Sequence, residues 1–397
     1  MKINTGKGTM PLLPLLAIWS VSAIVSLPGL AISPIMGELN TIFDHVSKLE
    51  IEMLESLPSL MIIPFMLLAG RWSVTMNKRR LLMLGTTIFL LSGVGCMLTR
   101  NLTALIIIGG VMGIGAGMVI PLSTGLVVDY FTGDQRVRQL GISSAINNLT
   151  LVVATLVVGY LADREWHLAF LVYLLPVVTL LLIPALRRTP AVPEPKEGAQ
   201  NRQQSINREM LLGLMIFYFL ITYLSLIVTF NTSFLVERNG LGSSLSGTII
   251  SLFFLAIMAP GFVLNTIIRW LGRSVNVWSL IVMGAGLVVM SMTHHTTLTL
   301  AVGAVLTGLG YGVMQPIIYD KAATNSPPRL ATFALSLIMA VNYFAILVAP
   351  FVLDGINRFF HTTSPTFGFL VNGVVTLFVA LLAALSKDRN RVLGSDD

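Results

Sequence analysis

The chain has 397 residues, of which 55% are hydrophobic and only 11% charged, with a mean hydropathy of +0.84 and a formal net charge of +7. Soluble domains carry about 25% charged residues, so this composition excludes a water-soluble globular protein and implies a polytopic membrane protein. The net positive charge calls for no nucleic-acid partner, because basic loops beside anionic headgroups account for it.

The amino-terminal MKINTGKGTM places two lysines ahead of an apolar run, as a signal peptide would. That run continues past twenty residues without a small-residue cleavage site, so it reads as the first spanning helix. Windows of about twenty apolar residues then predict spans near 11–33, 50–70, 81–98, 103–128, 141–162, 168–185, 209–231, 244–268, 275–292, 298–319, 331–353 and 366–386. The expected fold is an all-α integral membrane protein with twelve transmembrane helices. The only cysteine, Cys96, falls inside an apolar stretch and has no partner for an internal disulfide. The longest polar interruption, 186–208, is rich in Pro, Gln and charge, and divides a six-helix bundle over 1–185 from another over 209–397. Twenty of the 25 Lys and Arg residues fall in segments on the side of the N-terminus. The positive-inside rule therefore places both termini and the linker in the cytoplasm.

The two halves share a register. GIGAGMVIP, Gly113 to Pro121, returns as GLGYGVMQP, Gly308 to Pro316, at an offset of 195 residues, and the same offset carries Lys78 onto Arg273 and Asn147 onto Asn342. Within each copy the glycines at i and i+4, Gly113 with Gly117 and Gly308 with Gly312, lie on one helix face and admit a neighbouring backbone. Pro121 and Pro316 then oppose the carbonyls of Gly117 and Gly312 and bend their helices. The repeat implies duplication into two pseudo-symmetric bundles of the kind found in transporters.

Twelve spans, a six-plus-six repeat, a central cytoplasmic linker and a basic loop between spans 2 and 3 resemble the major facilitator superfamily. Within that resemblance, LPSLMIIPFMLLAGRWSVTMNKRRLLMLG and GIGAGMVIPLSTGLVVDYF are similar to bacterial drug and metabolite exporters of the drug:proton antiporter branch. The match departs from the superfamily's loop signature, with Val74 at its Asp and Asn77 at its second Gly. The resemblance implies a secondary transporter in the bacterial cytoplasmic membrane that exports a small organic molecule by proton antiport through alternating access. The alternatives are an importer or facilitator of a metabolite and a non-transporting sensor. It further implies that Gly70, Arg71, Lys78, Arg79 and Asp129 form a conformational latch, which the plain topology-setting role of such charges also accommodates.

Ionisable residues inside spans are costly and usually functional. Discounting span ends and the external loop that would hold Glu38, Asp44, Glu50 and Glu52 leaves Glu55. It lies fifteen residues before Gly70, hence about 22 Å from the cytoplasmic end at a rise of ~1.5 Å per residue. A carboxylate there either exchanges protons with the outside or reaches headgroup water. All five histidines fall in predicted external loops, and the His294-His295 pair splays too far for a good metal site. Asn147, Asn148, Asn231, Tyr311, Gln315, Tyr319, Asn342 and Tyr343 bring amides and phenols into apolar helices. They serve either helix-to-helix hydrogen bonding or a substrate cavity, which would suit a neutral, amphipathic or weakly cationic molecule because no Arg or Lys lies in the interior. No span carries a catalytic constellation or a phosphate-binding loop, so no enzyme and no cofactor is expected. The expected partners are a small-molecule substrate, protons and the lipid bilayer around a monomer.

Overall fold

The computed structural model describes residues 2–6, 8–186, 208–292, 297–324, 331–362 and 364–385. Most of the predicted linker and the His294-His295 pair lie outside these residues. The chain separates into two compact units, one comprising Met1–Ile35 and Leu39–Ala199, the other Met36–Glu38 and Gln200–Asp397. Among the described residues, eleven helices are long and apolar enough to cross a membrane, and Leu12–Ala23 is a shorter apolar helix.

In the first unit a small hairpin pairs Lys2–Asn4 with Thr9–Pro11. It leads into α1 (Leu12–Ala23), a 3-10 segment (Leu30–Ile35) and α2 (Met36–Ile42), whose first three residues are counted with the second unit. Then follow α3 (Lys48–Thr75), α4 (Lys78–Leu98), α5 (Leu102–Tyr130) and α6 (Gly133–Ala162). The last span of this unit is assembled from a 3-10 segment (Trp166–Leu174), α7 (Pro176–Leu182) and a closing 3-10 turn.

Local chemistry sets the starts of these helices. Ser47 caps α3 with a reciprocal box, its hydroxyl accepting from the Glu50 amide while Glu50 accepts from the Ser47 amide. Asn77 and Asn101 cap α4 and α5 through bonds from the amides of Arg79 and Ala104. The Ser47 box moves the start of α3 outward, which corrects the assignment of Glu50 and Glu52 to a loop: both are helical, and Glu52 is buried.

The first span also departs from the continuous helix expected over 11–33. α1 stops at Ala23, and helix resumes only at Leu30, beyond Pro28 and Gly29. Pro28 has no amide to continue the ladder, and Gly29 sits at φ +85°, a conformation other residues adopt only with strain. His167 is likewise not a loop residue, since it lies in the 3-10 start of the sixth span, stacked on Trp166 and with Nδ1 3.6 Å from Glu165.

The second unit comprises α8 (Arg208–Arg238), α9 (Ser243–Met258), α10 (Leu264–Leu271), α11 (Val275–Met290), α12 (Thr297–Thr324), α13 (Ala331–Phe359) and α14 (Pro365–Leu385). A 3-10 turn, Ala259–Phe262, joins α9 to α10; Ser243–Phe262 is one candidate span, and Thr266–Met290, which takes in most of α10 and all of α11, is the next.

Each unit is built around its glycine helix. A Cβ on Gly113 or Gly117 would collide with the carbonyls of Pro58 and Ile62 on α3, whereas one on Gly115 would strike Gly85 and Phe89 of α4. In the second unit Gly308 and Gly312 meet Phe253 and Ile257 of α9, and Gly310 meets Ser279 and Met283 of α11. The contacts on α3 and α9 keep the 195-residue offset, Pro58 to Phe253 and Ile62 to Ile257. α5 and α12 remain continuous through Pro121 and Pro316. The middle glycine adds a role that the i, i+4 pattern alone omits: it opens the opposite flank, so one helix lies against two others at backbone distance.

Gly113→Ala and Gly312→Ala should each lower stability by about 1–3 kcal/mol through overpacking, read as a fall in melting temperature of the purified protein. Gly125→Ala, where nothing lies within 4 Å of the added carbon, should leave it unchanged or slightly raised.

Candidate functional site

The break in the first span frees backbone groups that an apolar medium cannot hydrate, and a side chain of α6 takes up one of them. Asn147 Oδ1 accepts from the Ser26 amide at 3.2 Å, and its Nδ2 donates to Ser26 Oγ at 2.9 Å. The two bonds hold the unwound segment from one side.

Glu55 of α3 holds it from another. The Glu55 carbonyl packs so closely on Gly29 that no side chain fits there. Its carboxylate is fully buried, with Oε2 2.9 Å from the hydroxyl of Ser33 in the 3-10 segment. Tyr173 lies close to the group, its phenol near the Gly29 backbone and within electrostatic reach of Glu55. One turn toward the helix start, the buried Glu52 is ion-paired to Lys48 at 3.2 Å.

The proton count around Ser33 has chemical content. Its hydroxyl lies 2.8 Å from the Leu30 carbonyl and 2.9 Å from Glu55 Oε2, yet it carries a single proton. With Glu55 ionised, the hydroxyl must divide itself between two acceptors. With Glu55 protonated, the carboxyl donates to Ser33 while Ser33 donates to Leu30, and the hydroxyl no longer has two acceptors competing for its proton. The arrangement is thus able to hold a proton and to register its loss in the backbone of the first span.

A second polar group lies in the second unit. Tyr311, Gln315 and Tyr319 are spaced i, i+4 and i+8 along α12, which places them on one face. Tyr218 of α8 lies at its centre, with its phenol oxygen 2.9 Å from Tyr319, 3.3 Å from Tyr311, 3.1 Å from Gln315 Nε2 and 3.4 Å from Asn342 Oδ1. Thr222, one turn along α8, lies 3.3 Å from Tyr311. A phenol offers one donor and two acceptor sites, so four neighbours exceed what Tyr218 can serve at once. Such a group can exchange partners and offer donors and acceptors to a guest.

The remaining expected residues fall elsewhere. Asn148 bonds back to the Ser144 carbonyl of its own helix. Asn231 donates to the Pro365 carbonyl at 3.2 Å and abuts Gly368, tying α8 to the start of α14. It lies thirteen residues along α8 from Tyr218, about 20 Å away. Tyr343 follows Asn342 on α13 and is half-buried. Of the basic loop, Lys78 is the residue that meets Asp129, with Nζ 2.7 and 2.9 Å from its two oxygens. Gly70 and Arg71 are exposed near the end of α3, and Arg79 engages the Asn77 cap through its amide.

The family model for the Major Facilitator Superfamily matches residues 15–350, most of the chain. The chain belongs to the major facilitator superfamily. Its members are transporters, not enzymes. Relatives of this chain include the multidrug transporter protein MdtP of Bacillus subtilis (strain 168), 31% identical over 150 residues. That match covers 38% of this chain and 25% of MdtP. The probable multidrug resistance protein EmrY of Escherichia coli (strain K12) is 32% identical over 104 residues, 26% of this chain and 20% of its own length. The chain thus spans about a quarter of the curated relatives it matches. Among solved structures, a peptide transporter named POT aligns with a TM-score of 0.75 at 15% identity, covering 96% of this chain and 95% of that one. The inward-open xylose transporter XylE from E. coli aligns with a TM-score of 0.73 at 14% identity, covering 95% and 97%. At such identities the likeness is one of fold, the major facilitator fold.

Reading this superfamily member from sequence missed Tyr218, Ser33 and Tyr173. Tyr218 sits in an apolar run where a phenol passes for core. The i, i+4, i+8 row on α12 was its available signal, because three polar side chains on one buried face require a partner opposite.

Asn147→Ala should cost about 1–3 kcal/mol, because the part-buried Ser26 amide and hydroxyl lose this partner, whereas Asn148→Ala should stay within about 0.5 kcal/mol of the parent. Thermal unfolding of the two variants side by side measures the difference.

Proposed function

We propose that the protein exports small organic molecules across the bacterial cytoplasmic membrane by proton antiport, working by alternating access with both termini in the cytoplasm. The observation that carries the reading is the buried carboxyl of Glu55, held by Ser33 against the broken first span. Burying a carboxylate is expensive, and taking up a proton lowers that expense while freeing the Ser33 hydroxyl to donate to the Leu30 carbonyl. Glu55 is the proton carrier in this scheme, and its loading state is passed to the first span through Ser33.

The substrate role falls to the second polar group. Tyr311, Gln315, Tyr319 and Asn342, gathered at Tyr218, present phenols and amides without a formal charge. That chemistry favours a neutral or weakly cationic guest bearing hydrogen-bonding groups, with aromatic faces for its apolar parts. The relatives named as multidrug transporters support export of such compounds over the quarter of their length that is shared. Asn147 and Asn342 serve as equivalent supports, each tying its helix to the first helix of its own unit. Lys78 and Asp129 act as the latch, with Gly70, Arg71 and Arg79 around it.

Transport into inverted vesicles with an imposed pH gradient tests the reading. Glu55→Gln keeps size and hydrogen bonding but fixes a neutral state. It should abolish uphill transport while downhill exchange persists. Ser33→Ala should leave substrate binding intact and reduce the gradient-driven rate several-fold. Uphill pumping by Glu55→Gln at the parental rate would remove Glu55 from the mechanism. Movement with the protons rather than against them would identify an importer.

A further inference from the structure

Three consecutive basic residues open α4, and they differ in what they meet. Lys78 is held by both oxygens of Asp129 and is neutralised within the unit. Arg79 and Arg80 form no ion pair among the described residues; instead both line a cleft of about 210 Å³ with Asn77 and Met83. Among the described residues no acidic side chain lines that cleft. Two guanidiniums facing one small space make a receptor for an oxyanion, since each offers a planar fork of donors matched to phosphate oxygens.

The helix carrying this cleft continues it with a surface of the opposite character. From Arg80, the outward positions are Leu84, Thr87, Leu91, Val94 and Leu98, spaced alternately by four and three residues; the four apolar ones are exposed, Leu98 to 80%, and Thr87 is half-buried. Thr87 donates its hydroxyl back to the Met83 carbonyl at 2.7 Å, which engages its polar atom within the helix. A charged receptor therefore stands at the end of an apolar stripe. The stretch from Arg80 to Leu91 is about 16 Å long at ~1.5 Å per residue, close to one leaflet of a hydrocarbon core about 30 Å thick. A free inorganic anion uses the cleft and ignores the stripe; an amphiphile uses both.

We infer that Arg79, Arg80 and the outward stripe of α4 form a binding site for one anionic phospholipid, its phosphate in the arginine cleft and an acyl chain along Leu84 and Leu91. The site is separate from the groups assigned to protons and substrate. It adjoins the Lys78–Asp129 pair in sequence, so lipid occupancy has a short route to that contact.

Native mass spectrometry of the full-length protein, purified and exchanged into phosphatidylcholine with an equal share of phosphatidylglycerol, tests the site. The parent should retain phosphatidylglycerol selectively, and R79Q/R80Q should lose that selectivity by roughly thirtyfold, as removal of two juxtamembrane charges predicts. R79K/R80K, with the charge but not the fork, should fall between them. Millimolar inorganic phosphate or soluble glycerophosphoglycerol should fail to displace the lipid from the parent. Unchanged selectivity in R79Q/R80Q overturns the inference, and displacement by either soluble anion reassigns the cleft to free phosphate groups. If R79Q/R80Q does not fold, the parent alone decides: its melting temperature should rise with added phosphatidylglycerol and not with phosphatidylcholine, and equal responses to the two lipids overturn the proposal.

Discussion

Helices in a bilayer gain nothing from hiding apolar surface from one another, so they must hold together by close packing and hydrogen bonds. The whole protein follows from that constraint. α5 and α12 lie against two neighbours each at backbone distance, and they do so because Gly113, Gly115 and Gly117, like Gly308, Gly310 and Gly312, present no side chain on either flank. Once those helices are seated, α3 is fixed on α5 and α9 on α12. The depth of Glu55 on α3 follows in turn, since Pro58 and Ile62, within two turns of it, make the glycine contacts.

The polar groups obey the same scarcity of water. Every freed backbone atom and buried side chain needs a partner inside the protein, and the break at Pro28 and Gly29 concentrates that need. Asn147 and Ser33 answer it from different elements, and Tyr173 lies close by on a third. Polar residues placed for structural satisfaction and residues available for chemistry are therefore neighbours. Glu55 touches the broken segment twice, with its carbonyl against Gly29 and its carboxylate against Ser33. The phenol group around Tyr218 differs, because it has more partners than one hydroxyl can serve and so retains capacity to rearrange.

Much of this was legible in the residues. Apolar windows located the spans because length and composition are all that crossing a membrane requires, and the 195-residue offset announced two related halves. The first-span break is invisible to hydropathy, which carries no information about dihedral angles, although the Pro28-Gly29 pair is its signal in the sequence. Glu52 was misplaced for a different reason: charge suggested a loop, although Ser47 and Glu50 already spelled a helix start before it. Asn147 and Asn231 look alike in sequence, each a lone amide in an apolar helix. Only the fold separates the one that steadies the unwound segment from the one that binds Pro365.

The solitary thiol has a practical meaning. Cys96 is the chain's only cysteine and lies buried near the end of α4, so a maleimide meets no ready target in the resting protein. A fluorophore or spin label can then be installed at any engineered surface cysteine without first rebuilding the background. Conversely, slow alkylation of the native thiol becomes a clock for the breathing of α4 against its neighbours, read from an unaltered molecule.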